Sequence, residues 1–173
     1  MKLDINFFND DVLNVAPKLI GKLLVRNFGN GIIKKYRITE VEAYRGEEDL
    51  ACHACKGKTP RNEVMYMKSG TIYIYLIYGM YNMLNIVTEK EDVPQAILIR
   101  GIEGFNGPGK LTKALQIDKI LNKQNIFTND TLSIESDDYV PKIKKDKRIG
   151  IDYAGEIWKN KLWRFIDEQK NGR

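Results

Sequence analysis

The chain is poor in the residues that most often carry metal, thiol or acyl-transfer chemistry. Its 173 residues include two Cys, one His, and Ser only at 69, 133 and 136. Cys52 and Cys55 cannot build a disulfide framework, which points to a reducing compartment. A structural zinc site takes four N or S ligands, more than Cys52, His53 and Cys55 supply. The zinc deaminase pattern, H-x-E followed by P-C-x-x-C, also fails, because there is no second His and Ala51 stands where Pro is required. No metal and no other cofactor is expected. A Ser-His-Asp triad would have to use His53, and no Ser lies in a G-x-S-x-G elbow. No apolar run nears the roughly 20 residues that cross a bilayer, and Met1 to Asn6 lack a signal-peptide core. The expectation is a soluble protein with no membrane partner, cytoplasmic (nucleoid-associated in a prokaryote, nuclear in a eukaryote). Internal repeats and low-complexity segments are missing too.

What is present suits one domain over residues 1–173, with a flexible tail after about residue 167. Hydrophobic residues make up 43% and charged residues 29%, enough for a real core. The net charge of +5 permits an anionic partner, and nucleic acid leads. Basic residues gather at Lys56, Lys58, Arg61 and Lys68, and at Lys142, Lys144, Lys145, Lys147 and Arg148, although a single such cluster is usually a solvated loop. No long exposed apolar stripe advertises a subunit contact, so a monomer is expected.

Asp10 or Asp11 can cap a helix through Val12, Ala16 and Leu19, with Pro17 forcing a kink or an early end. Lys22–Arg26 and Ile32–Tyr44 read as a hairpin around Gly29-Asn30-Gly31. Residues 45–70 form a long polar connection, functional or disordered. Thr71–Ile77, Met83–Val87 and Gln95–Ile102 alternate as strands, and Tyr78-Gly79-Met80-Tyr81 reads as a turn. Lys110–Leu121 has helical spacing, residues 122–147 look irregular, and Arg148–Ile151 and Leu162–Ile166 look like closing strands. The fold class is α+β: a single compact domain with a curved, mostly antiparallel sheet, flanking helices and a protruding β-hairpin.

Gly104 to Lys110 matches G-x-x-x-x-G-K, but Leu111 replaces the Ser or Thr that a P-loop uses for magnesium, and Pro108 removes a backbone donor. Nucleotide hydrolysis is rejected. A sharper signal lies in Ile38-Thr39-Glu40-Val41-Glu42-Ala43-Tyr44. On a strand, Glu40, Glu42 and Tyr44 share one face. The plain alternative is an edge strand with a solvated acidic face; the other is a site, since local conflicts with core building mark function. Tyr44, Tyr66, Tyr73, Tyr75, Tyr78 and Tyr81 add an aromatic series, and Tyr78 beside Gly79 is poorly placed for a core. On a hairpin tip it could wedge between bases. An aromatic wall beside a carboxylate suits a base taken out of the stack and attacked at its sugar.

Several segments together resemble the alkyladenine (3-methyladenine) DNA glycosylase family. They are Glu40-Val41-Glu42-Ala43-Tyr44, Thr59-Pro60-Arg61-Asn62, Met67-Lys68-Ser69-Gly70-Thr71 and Tyr75-Leu76-Ile77-Tyr78-Gly79-Met80-Tyr81, followed by Gly107-Pro108-Gly109-Lys110-Leu111 and Ala154-Gly155-Glu156. The motifs keep one order over about residues 7–166. The resemblance implies a monofunctional base-excision enzyme acting on double-stranded DNA with damaged purines. It implies Glu42 as general base activating a water, and Arg100 as holder of that water and the carboxylate. It places Tyr44, His53 and Tyr75 around the extruded base, Asn85 against a purine 2-amino group, and Tyr78 in the gap left in the duplex. The charged link Glu89-Lys90-Glu91-Asp92 departs from the family pattern, and with no long extension before Phe7 no N-terminal regulatory region is expected.

The chemistry agrees with the resemblance. Breaking an N-glycosidic bond builds oxocarbenium character that an adjacent carboxylate stabilises, and Glu40, if close, would raise the proton affinity of Glu42. Two rivals remain: a non-enzymatic module that binds damaged DNA, and a glycosylase-lyase using a lysine such as Lys68.

Overall fold

The computed structural model describes residues 1–171. Its organising element is a 13-residue strand, β2 (Ile33–Arg45), which follows β1 (Leu23–Asn27) through the expected turn. The other strands are β3 (Ile72–Ile77), β4 (Tyr81–Thr88), β5 (Gln95–Ile102), β6 (Phe105–Asn106), β7 (Leu132–Glu135), β8 (Ile143–Asp146) and β9 (Arg164–Asp167). They join one sheet in the order β3-β4-β5-β2-β1-β7, with β6 on β5 and β9 between β2 and β8. Every pairing between strands is antiparallel. Because β2 pairs with β1 at one end and with both β5 and β9 at the other, its acidic stretch lies inside the sheet. The solvated edge-strand alternative is therefore wrong: Glu40 and Glu42 are buried.

Helix α1 (Val12–Leu19) starts where the Asp11 carboxylate accepts the Leu13 N–H at 2.9 Å, and it carries Pro17 through its last turn. Its apolar face, Val12, Val15, Ala16 and Leu19, packs with Ile38, Val41 and Ile97 in the main core. The Val, Leu and Ile side chains among them each contribute about 1.5–3 kcal/mol on burial.

The expected helix over 110–121 is shorter. Helix α2 (Pro108–Ala114) has Pro at its first position and ends where Gln116 turns left-handed at φ +52°. Leu115, Ile117 and Leu121 still reach the core, by way of a turn and a single 3-10 turn (Lys119–Leu121) capped by Asp118. Apolar spacing alone does not distinguish the two paths. Residues 122–147 are less irregular than expected, since they hold β7 and β8. Among the described residues strand β8 has only β9 beside it, and it exposes its lysines, which hid it as a strand. Arg148–Ile151 is not a strand; it turns into a short helical stretch ending in α3 (Gly155–Lys159).

The 45–70 connection carries more apolar burial than its composition suggests. Ala51, Cys52, Ala54, Val64, Met65 and Tyr66 are buried, most of them in a second cluster with Tyr73 and Val87. Beyond β9, Glu168 to Asn171 form a turn on Asp167, and residues 172 and 173 lie outside the described residues.

Candidate active site

Between the β3–β4 hairpin, β5, the 45–70 connection and the 149–153 segment opens a cavity of about 700 Å³. Tyr44, His53, Tyr73 and Tyr75 give it aromatic walls, and Asn85 and Arg100 give it polar ones. A volume of this order suits a small planar ligand held mainly by apolar contact.

The direction of the carboxylates depends on two irregularities in the β2–β5 ladder. Ile38 faces the main core and so do Val41 and Ala43, an impossible parity for an unbroken strand. The register resolves it: Ile38 pairs with Ile102 and Glu40 with Gly101, leaving Thr39 extra, and Val41 then pairs with Ile99, leaving Arg100 extra. Bulges of this kind re-aim side chains. The Thr39 bulge turns Glu40, Glu42 and Tyr44 away from the core, and Arg100 enters the cavity wall from the opposite strand.

Glu42 is fully buried behind that wall. One of its oxygens accepts the Tyr44 hydroxyl at 2.8 Å and the other accepts the Ile149 N–H at 2.6 Å. Arg100 Nη1 lies 3.6 Å from Oε1. Burial raises the Glu42 pKa above the ordinary value of 4.5, against the opposing pull of Arg100, the Ile149 N–H, Tyr44 and Arg148. Burial is the first cause, and the charge of the neighbouring Glu40 is met by Arg164 at 2.9 Å and Arg100 at 3.6 Å.

The expected pocket residues converge on the cavity. The His53 ring is open to it and sits 4.4 Å from the Tyr75 ring, edge to face, with Nδ1 3.0 Å from the Tyr73 hydroxyl. Desolvation by the surrounding protein, and then Arg61, lower the His53 pKa, so the neutral imidazole is the favoured form. Burial also pushes up the hydroxyl of Tyr73, to about 12, and those of Tyr44 and Tyr75. All three stay protonated near neutrality. Asn85 lies opposite Leu98 and donates its amide to the Tyr73 and Met83 carbonyls, which fixes its plane.

Tyr78 stands at the hairpin tip, 85% exposed. It and Gly79 both have positive φ, +52° and +65°, as a tight turn closed by the Met80 N–H on the Ile77 carbonyl requires. A bulky aromatic in that conformation costs about 1–2 kcal/mol, and Asn or Gly would fit better.

Sequence reasoning missed the frame around the pocket. Arg148, grouped above with the exposed lysines, is buried and forms a two-pronged pair with Asp49 at 2.6 and 2.9 Å. Its guanidinium lies 5.0 Å from the centres of both the Tyr44 and Trp163 rings and donates to the Ala43 carbonyl. Asn62 holds the 45–70 connection from within, donating to the His53 and Gly57 carbonyls at 2.9 Å and accepting the Thr59 N–H. The local sequence sets neither apart, since Asp49 follows Glu47 and Glu48 and Asn62 lies between Arg61 and Glu63. Lys68 borders a different depression, with Ile5, Asn6 and Lys90, whereas Lys110 lines the main cavity. Among the described residues, no group of three or more His, Cys, Asp and Glu is placed to hold a metal ion, and no helix is long and apolar enough to cross a membrane.

Enzymes that work on a nucleobase outside the helix need a pocket with stacking walls, a polar group at the sugar and something to fill the gap. Aromatic cavity walls and an exposed aromatic at a hairpin tip match two of those needs. Comparison with known proteins narrows the class. The profile of the family described as methylpurine-DNA glycosylase (MPG) matches residues 6–106 and 103–171. The chain is 45% identical over 175 residues to a Legionella pneumophila protein named "Putative 3-methyladenine DNA glycosylase", covering 95% of this chain and 93% of that one. Proteins of the same name from Methanocella arvoryzae and Clostridium perfringens are 44% and 42% identical, over 94% and 95% of this chain and 90% and 95% of theirs. The chain belongs to the methylpurine-DNA glycosylase family.

Proposed function

We propose that the protein removes alkylated or deaminated purines, of the 3-methyladenine, 7-methylguanine and hypoxanthine type, from double-stranded DNA by hydrolysis with a water activated by Glu42. The observation that carries this reading is a fully buried carboxylate of raised pKa behind an aromatic cavity, bonded to two of that cavity's lining residues. Tyr44, His53 and Tyr75 sandwich the extruded base, Asn85 crowds a purine 2-amino group, and Tyr78 occupies the vacated stack.

As the N-glycosidic bond breaks, its electron pair leaves with the base: an alkylated purine thereby loses its positive charge, and neutral hypoxanthine leaves as an anion that takes its proton from water. Positive character on the sugar meets the Glu42 carboxylate. Water oxygen bonds to C1′ and its proton passes to Glu42, while Arg100 steadies the carboxylate and the water. No lysine attacks the sugar, so the strand stays whole.

The test is incubation with DNA bearing labelled methyl groups on its purines. Free methylated base should appear with strands intact until alkali, and borohydride should trap no adduct. A trapped adduct would shift the reading to a lyase, with Lys110 the lysine that lines the cavity. Binding without release would leave a damage-binding module.

Glu42 acts as a base only when ionised, and its pKa is raised. Activity is therefore present above that pKa and lost as pH falls through it, giving an acid limb above the ordinary 4.5. Single-turnover rates on 7-methylguanine report it cleanly, since that base carries a fixed charge. A limb at or below 4.5 would contradict the assignment.

Tyr78→Asn separates stability from function. Asn tolerates positive φ, so the melting temperature should hold or rise, by up to about 1 kcal/mol of stability. Release from lesion duplexes should fall at least about tenfold, because the wedge is gone. A variant that melts lower yet releases base normally would remove Tyr78 from the reading.

A further inference from the structure

Glu40 shares the acidic face of β2 with Glu42 but has no part in the reaction described above. It lies opposite Gly101 of β5, where an added Cβ would come within 3.3 Å of Glu40 Cβ and 3.0 Å of Thr39 Oγ1. The glycine lets the two strands close on the bulge. The Glu40 carboxylate meets guanidinium groups on two sides: Arg164 Nη1 of β9 at 2.9 Å and Arg100 Nε of β5 at 3.6 Å. Arg164 is itself held, through Nε on the Lys147 carbonyl at 2.6 Å and Nη2 near Asp146 of β8 at 3.4 Å. Arg100 Nε is buried and makes no hydrogen bond, and among the described residues Glu40 is the carboxylate beside it. The other end of that guanidinium is the one that reaches Glu42.

Charges thus alternate along Arg164, Glu40, Arg100 and Glu42. We propose that Glu40 is a positioning residue: clamped by Arg164, it anchors the Nε side of Arg100 and so sets how far the other side engages Glu42. This rests on the base-release reading above. The remaining groups facing Glu42 are Arg148, Tyr44 and Tyr75, and none of them touches Glu40.

The two ends of the chain make opposite predictions. Glu40→Gln removes a negative charge and leaves Arg100 to Glu42 alone, so the acid limb of single-turnover release should move down, by about half a unit or more. A weaker base is a slower one, and the plateau should fall about two- to threefold. Arg164→Gln leaves Glu40 unclamped and drawn wholly to Arg100, so the limb should move up. Glu40→Asp keeps the charge and should bring the limb back towards that of the unmodified protein.

A purely structural Glu40 would lower the melting temperature in both Gln variants and leave both limbs in place, and that result overturns the proposal. If Glu40→Gln does not fold, the direction of the Arg164→Gln limb decides, and a limb unmoved or moved down overturns it. Absence of base release by the unmodified protein is a different result: it removes the base-release reading itself, and this inference with it.

Discussion

Replacing Glu42 with Gln is expected to slow single-turnover base release about 10³-fold, the scale of a lost general base, while folding and lesion binding persist. The fold should tolerate the change for a physical reason. A group whose folded pKa is raised stabilises the fold below its unfolded pKa and loses that contribution as pH rises through the folded pKa. At neutral pH the Glu42 carboxylate therefore carries an uncompensated cost of burial, which a neutral amide of the same shape avoids. Gln can still accept the Ile149 N–H through its carbonyl, and its NH₂ can donate to the Tyr44 hydroxyl, which rotates to accept. Melting temperature and binding to a lesion duplex serve as the controls. A Glu42→Gln protein that releases base at the original rate would remove the carboxylate from the chemistry.

The largest effect on stability is expected at Asp49. Its carboxylate takes both prongs of Arg148 and the N–H groups of Arg45 and Ala51, and the pair is shut away from water on both sides. Asp49→Ala would leave a buried guanidinium without its counter-charge, which costs about 3–5 kcal/mol. For a chain of this length that is a fall in melting temperature on the order of 10 °C. Exposure decides the contrast: removing Lys123 from its open pair with Glu63 should leave the melt unchanged. Because Arg148 stacks on Tyr44 and leads into Ile149, Asp49→Ala should also weaken base release in whatever fraction stays folded. A variant that melts with the unmodified protein would mean the pair does not hold this region together.

The hairpins and β5 were legible because runs rich in β-branched and aromatic residues end at turns that carry Gly or charged residues. The acidic face of β2 was legible from its alternation, and its burial was not, since two carboxylates read as solvated until their partners Arg100, Arg148 and Arg164 come in from distant strands and loops. The bulge left one trace in the sequence: Ile38 and Val41 are both apolar but fall on opposite faces of a regular strand. Arg148 shows the limit most clearly. In sequence it ends a run of exposed lysines, and only the fold brings Asp49 beneath it. Helix α2 was overextended because Leu111, Ala114, Leu115 and Leu121 fit helical spacing, Leu121 falling seven residues after Ala114, on a path that in fact leaves the helix at Gln116. The 45–70 connection looked loose because its order comes from side-chain bonds of Asn62 and from small buried residues, neither of which has a periodic signature.

The central claim is that Glu42 turns a bound, extruded purine into a free one. The most direct measurement is single-turnover release of free base from duplexes carrying one N3-methyladenine or one hypoxanthine, by the unmodified protein and by Glu42→Gln, with binding measured on the same duplexes. Release by the unmodified protein, lost in the variant at undiminished binding, is the expected result. Tight binding by both proteins with no base released from either lesion would contradict the account.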